Sequence, residues 1–215
     1  MSTLNREALM LLVDVSGSMS GTPIDELNKG IARFKRDMLK DPKTASVLDV
    51  GIITFSDANK YIQPFAPVTA MADHTLRPEG STEMNKAVKA ALTEVDNQYR
   101  RYLSQGIRPY KPWVLLITDG YPNTPVDEAA EVVRQMEADG KLKLLAFGCG
   151  SYSSETLHKL AGEKVTRLTD YDFTKLFDWV HKSMRAVSES SPGDKVKTAV
   201  QPDNFEQDTC DWLND

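Results

Sequence analysis

Two short runs constrain this chain more than any other feature. Ala8–Val13 (ALMLLV) is apolar at every position, and Trp113–Thr118 (WVLLIT) is apolar up to its closing threonine. A strand with one face in water alternates apolar and polar residues, so runs like these belong to strands buried on both faces. Further strands are expected at Val47–Phe55, Tyr61–Phe65, Leu142–Phe147 and Val165–Leu168. Between them lie amphipathic stretches at Ile24–Leu39, Thr82–Leu103, Val126–Asp139, Ser154–Leu160 and Phe173–Val187, whose apolar residues recur at helical spacing, as in Ile24, Leu27, Ile31, Phe34 and Met38. Alternating strands and helices predict an α/β fold: a doubly wound, mostly parallel central sheet with helices on both faces. Ser56–Lys60 is too short for a parallel crossover, so the second and third strands form a hairpin and the third is an antiparallel edge strand. The chain then has to return along Ala66–Ser81, which carries Pro67, Pro78 and Gly80.

The 215 residues suffice for one large core. A net charge of -5 argues against wholesale nucleic-acid binding, which needs a basic domain. From Ser188 onward seven acids stand against two bases, in a segment containing Ser, Pro and Gly but no periodicity. That composition predicts a domain over residues 1–187 followed by a flexible acidic tail at 188–215 that stays off the core. Cys149 and Cys210 are too few for a disulfide framework, and no Cys/His cluster suggests zinc. No apolar run is long enough to span a bilayer, and the N-terminus lacks the pattern of a signal peptide, so a cytoplasmic location is expected.

The residues that carry chemistry follow the two apolar runs. Asp14-Val-Ser16-Gly-Ser18 leaves the first, and Asp119-Gly120 leaves the second. In doubly wound sheets ligands bind beyond the carboxyl ends of strands, where the strand order reverses. If the two runs flank that point, Asp14 and Asp119 face one crevice. Thr82, at the start of a long helix, can add its hydroxyl. Two carboxylates and three hydroxyls form an all-oxygen set, which selects a hard cation. Low charge and many hydroxyls favour Mg²⁺, with Mn²⁺ and Ca²⁺ the alternatives.

This order and spacing, Asp14-x-Ser16-x-Ser18, then Thr82, then Asp119-Gly120, resembles the metal-ion-dependent adhesion site of von Willebrand factor type A (VWA) domains. The resemblance covers about Glu7 to Val187. Leu12–Met19, Gly80–Asn85 and Leu116–Asn123 are most similar to intracellular bacterial proteins of the TerY type, associated with tellurium resistance. It implies a Rossmann-like VWA fold and a non-catalytic, metal-dependent protein-binding role in a stress-response assembly. It further implies that Ser16, Ser18 and often Thr82 coordinate the ion directly, that Asp14 and Asp119 hold metal-bound waters, and that a partner's carboxylate completes the shell. Relatives of this type occur beside kinase-like and phosphatase-like proteins, which are the expected partners. Some relatives carry a cysteine-rich C-terminal segment, whereas this one has a lone Cys210.

The competing readings are weaker. A phosphoryl-accepting Asp14 needs a second carboxylate two residues on, where Ser16 stands. A Mg²⁺-assisted hydrolase using the same site needs a nucleophile or base beside the ion, and the crevice offers only Asp57, Tyr121, Asn123 and Thr124. Those four are expected to form the partner-binding rim, with no catalytic residue among them. Gly148-Cys149-Gly150 lacks the third glycine of a dinucleotide loop. His74, His158 and His181 share no spacing, and Cys149 has no evident base. The basic and aromatic stretch Tyr99–Lys111 reads as a helix end packing its tyrosines rather than a binding patch.

Overall fold

Both faces of the central strands are buried, as their apolar runs require. The computed structural model describes residues 5–208. Its strands are β1 (Asn5–Asp14), β2 (Leu48–Phe55), β3 (Asn59–Pro67), β4 (Arg108–Pro109), β5 (Trp113–Thr118), β6 (Lys143–Cys149), β7 (Val165–Leu168) and β8 (Phe205–Gln207). Its helices are α1 (Thr22–Leu39), α2 (Pro42–Val47), α3 (Met84–Ser104), α4 (Asp127–Ala138), α5 (Ser154–Ala161) and α6 (Phe173–Ser188). The strands form one sheet in the order β3-β2-β1-β5-β6-β7-β8, with β4 paired to the start of β1. β2, β1, β5, β6 and β7 run parallel, and β3 is antiparallel to β2. This is the expected doubly wound α/β architecture with its antiparallel edge.

Period-two geometry divides β1 between two cores. Leu9, Leu11 and Val13 pack with α1 and α6 on one face, where Leu27, Phe34, Phe177 and Val180 are buried. Met10 and Leu12 pack on the other face against Met84, Val88, Leu92 and Val133 of α3 and α4. Gly30 lets α1 and α6 approach closely, since a methyl group there would lie 2.8 Å from the Phe177 ring. Among the described residues no helix is long and apolar enough to cross a membrane.

Three elements were not expected from sequence. α2 spans only six residues, too short for helical periodicity, and is started by the Asp41 side chain accepting from the Thr44 amide. β4 is two residues long and contains Pro109. The third is β8. The expectation that the chain from Ser188 stays off the core is corrected over residues 189–208. There β8 pairs antiparallel to β7, from Leu168↔Phe205 to Thr166↔Gln207, giving the sheet a second antiparallel edge. Phe205 is 9% exposed, and its ring centroid lies 5.6 Å from both Phe147 and Trp179. Trp179 Nε1 donates to the Ala199 carbonyl at 2.9 Å, and the Ala199 amide donates to Ser183 Oγ at 3.1 Å. An open sheet edge, one donor on Trp179 and one acceptor on Ser183 supply what the segment's average composition hides. The end of the expected tail, with Cys210, Trp212 and Leu213, lies outside the described residues.

Glu7, on the α1/α6 face at the foot of β1, is fully buried, and neither carboxyl oxygen has a hydrogen-bond partner. Burial pushes its pKa well above the carboxylate range, so the folded chain keeps a proton there that the unfolded chain releases. Stability from this group is therefore present below the unfolded pKa and falls as pH rises above it. The melting-temperature advantage of Glu7→Leu over wild type should accordingly widen from pH 4 toward neutrality; a constant difference across that range would contradict the burial argument. Phe205→Ala should cost about 3 kcal/mol in chemical denaturation, the usual cost of emptying a buried phenylalanine site. Wild-type stability in that variant would show that the C-terminal strap does not hold the fold.

Candidate functional site

β1 and β5 are neighbours, with Val13 opposite Ile117, and the strand order reverses between them. Asp14 is the last residue of β1 rather than the first of a loop, and Asp119 follows β5 directly. Ser16 precedes a short 3-10 turn over Gly17–Met19, so the Asp-x-Ser-x-Ser segment bends tightly instead of staying extended. Thr82 lies two residues before α3 begins. The Gly17 amide donates to the Gly80 carbonyl at 3.0 Å, the Glu79 amide to the Val15 carbonyl at 2.7 Å, and the Asn123 amide to the Thr82 carbonyl at 3.0 Å. These backbone bonds tie three sequence-distant loops into one edge.

The five expected residues come together. Ser16 Oγ and Ser18 Oγ are 3.0 Å apart, and Ser18 Oγ donates to Asp119 Oδ1 at 2.6 Å. A methyl group placed on Gly120 would lie 3.2 Å from Thr82 Oγ1, 3.6 Å from Asp14 Oδ2 and 3.8 Å from Ser18 Oγ. Oxygens from three loops thus surround one point, and any larger residue at 120 would crowd it. Asp14, Ser16, Thr82 and Asp119 are buried, while Ser18 is exposed. The cradle therefore opens to solvent on the Ser18 side.

Two carboxylates held this close and this deep are costly. Burial raises the Asp14 pKa; the hydrogen bonds from Ser16 and Thr118 lower it again in part, and the charge of Asp119 adds to the rise. Burial likewise raises Asp119, with the Ser18 hydroxyl partly offsetting it. Among the described residues no cation contributes to either carboxylate. Nor do three or more His, Cys, Asp or Glu side chains among those residues converge so that they could hold a metal ion, so a cation site here would be built mainly from hydroxyls. All-oxygen chemistry, low formal charge and two acids lacking a cationic partner fit a small hard divalent ion.

Sequence reasoning missed Thr118. It donates to Asp14 Oδ2 at 2.5 Å and accepts from the Gly120 amide at 3.1 Å, fixing both acids' loops at once. The one polar residue closing an otherwise apolar strand was the available signal. Of the expected rim, Tyr121 is 64% exposed at the mouth. Asp57 and Asn123 are exposed too, and both also hydrogen-bond within the protein. Asp57 accepts from the Ser81 amide at 2.9 Å and from the Ser81 hydroxyl, to which Asn123 also donates. Those Ser81 hydrogen bonds hold the Asp57 pKa low. Gly80 has φ +63°, and a side chain there would collide with the Asp57 carboxylate, so this turn needs glycine twice over. Thr124 is partly exposed beside them. Cys149 is buried beneath the site, its thiol 3.6 Å from the Thr118 carbonyl and its pKa pushed far up by burial. His158 and His181 lie on α5 and α6, and His74 in the loop after β3. Tyr102 and Tyr110 pack into the fold, Tyr102 donating to Asp49 at 2.5 Å and Tyr110 to the Ser190 carbonyl at 2.9 Å.

Comparison with solved structures places the fold among known ones. A von Willebrand factor type A protein from Catenulispora acidiphila superposes with a TM-score of 0.67 at 16% identity, covering 85% of this chain and 43% of that one. The pilus adhesin SpaC from Lactobacillus rhamnosus GG gives 0.68 at 12% identity, over 86% of this chain and 30% of its own. The vWF domain of the type V pili tip protein Mfa5 from Porphyromonas gingivalis gives 0.65 at 10% identity, over 89% and 98%. The chain thus spans less than half of the first two structures and nearly all of the third. No curated protein sequence matches it significantly. The family model for the von Willebrand factor type A domain matches residues 8–180, and the chain belongs to that family.

Proposed function

We propose that this domain binds one divalent cation, Mg²⁺ first, in the oxygen cradle between β1 and β5, and through it docks an acidic residue of a partner protein. VWA domains are generally protein-interaction modules, which sets the class of function. The observation that carries the finer reading is the pair of buried carboxylates, Asp14 and Asp119, converging with Ser16, Ser18 and Thr82 and lacking any cation among the described residues. Ser16, Ser18 and Thr82 are assigned as direct ligands, with Asp14 and Asp119 acting through water. A bound Mg²⁺ supplies a strict octahedral geometry and residual positive charge that a carboxylate oxygen can satisfy. The chain's own residues hold the cradle in shape: Thr118 orients Asp14, and the Asp57–Ser81–Asn123 chain fixes the Thr82 loop. Tyr121 offers exposed aromatic area to the partner.

Among the described residues no histidine hydrogen-bonds to the cradle oxygens, and the Cys149 thiol is buried with its pKa raised, which favours docking over hydrolysis. The segments similar to TerY-type proteins extend the proposal to a cytoplasmic stress-response or tellurium-resistance assembly with kinase-like or phosphatase-like partners.

Calorimetry on EDTA-stripped protein should show a single Mg²⁺ or Mn²⁺ site, weakened at least about tenfold by Asp119→Ala, which corresponds to about 1.4 kcal/mol. Equal affinity in the two proteins would remove the assignment. Pull-down from lysate should then lose its partner on EDTA treatment and in Ser16→Ala, whose fold circular dichroism should find intact. A partner retained under both conditions would place the interface elsewhere.

A further inference from the structure

The crown of the sheet is electrostatically lopsided. The loops that follow β1, β2, β5, β6 and β7, at residues 15–21, 56–58, 119–126, 150–153 and 169–172, contain Asp57, Asp119, Asp170 and Asp172 but no lysine or arginine. Positive charge borders the crown in the first turns of α3 and α6, where Lys86 and Lys175 are paired with Glu83 and Asp203, and in a cavity of about 270 Å³ lined by residues that include Val15, Thr54, Lys60, His74, Arg77 and Glu79. Val15 stands between Asp14 and Ser16, so this cavity shares a wall with the cradle. The Glu79 amide bonds the Val15 carbonyl at 2.7 Å, which sets Arg77 two residues from that contact, about 7 Å of extended chain.

The charges inside the cavity are unequally spent. Lys60 pairs with Glu79 and neutralises it. His74 Nε2 is 3.1 Å from Gln63 Oε1. Arg77 is exposed, and its guanidinium has no partner among the described residues. The free positive charge therefore belongs to Arg77, with a fork of donors matched to a carboxylate. Thr54 lies 3% exposed on the wall below.

We infer that this cavity receives a second carboxylate of the partner, so that the domain recognises an acidic segment carrying two acids about three residues apart. The first acid takes the cradle between Ser18 and Asp119, and the second meets Arg77. Since the remaining loops around the cradle carry no lysine or arginine, an approaching acidic chain is drawn toward this side, and the cavity sets its direction. The inference rests on the proposed docking at the cradle and adds the class of partner.

The test uses fluorescence anisotropy with labelled ten-residue Gly/Ser peptides in Mg²⁺ at low salt. One peptide carries a single glutamate; two others carry a second glutamate three residues before or after it. The better two-acid peptide should bind wild type about threefold to fivefold tighter than the one-acid peptide, the range of an exposed ion pair. Arg77→Glu should abolish that advantage while one-acid binding stays dependent on Mg²⁺, whereas Asp119→Ala should weaken all three. In EDTA, at millimolar concentration, the two-acid peptide should still shift the amide resonances of Thr54 and Arg77 more than the one-acid peptide does. Metal-dependent binding of the one-acid peptide with no two-acid advantage, or an advantage that survives Arg77→Glu, overturns the inference and leaves the cradle assignment standing. No metal-dependent binding by any peptide overturns both.

Discussion

Everything at the functional edge depends on β1 being paired on both sides and buried on both faces. Its parallel ladders to β2 and β5 lock Asp14 opposite Phe55 and Val13 opposite Ile117. Asp14 therefore ends one strand beside the place where Asp119 leaves the next. Register slips by single residues would turn every side chain of β1 to the wrong face, and the two apolar cores forbid that. The position of the two acids is thus a consequence of core packing, with no loop of its own needed to bring them together.

Holding two acids there requires compensation. Hydroxyls and an amide provide it locally: the Thr118 hydroxyl and the Ser16 amide serve Asp14, and the Ser18 hydroxyl serves Asp119. The compensation is partial, because burial still raises both pKa values. A cavity edge that gathers uncompensated acid and hydroxyl oxygens is a site prepared for positive charge, which is the physical core of the functional proposal. Glu7, at the other end of the same strand, shows the contrast. It too is buried and raised, but it has no hydroxyl partners and no opening to solvent, so it is a cost to stability rather than a site.

The sheet and the cradle were readable where residue pattern and physics coincide. ALMLLV and WVLLIT could only be central strands, and Asp14, Ser16, Ser18, Thr82 and Asp119 all arrive at one point. What escaped was governed by contacts rather than pattern. β8 is three residues long and is defined by the β7 edge and the Phe147–Trp179 pocket into which Phe205 fits, neither of which lies near it in sequence. α2 is held by one cap and is shorter than two helical turns. Asp57 and Asn123, both exposed, also fix the Thr82 loop through Ser81, a role that appears only once the fold brings residues 57, 81 and 123 together. Charge placed by neighbours, as at Arg77, is likewise invisible until the fold sets those neighbours beside it.

The most direct test of the central claim is anomalous diffraction from crystals of this domain soaked in Mn²⁺. The account predicts one strong anomalous peak within coordination distance of Ser16 and Ser18 and beside Asp119, absent in Asp119→Ala crystals. A cradle with no peak at saturating Mn²⁺, or a peak only at other carboxylates, would contradict it.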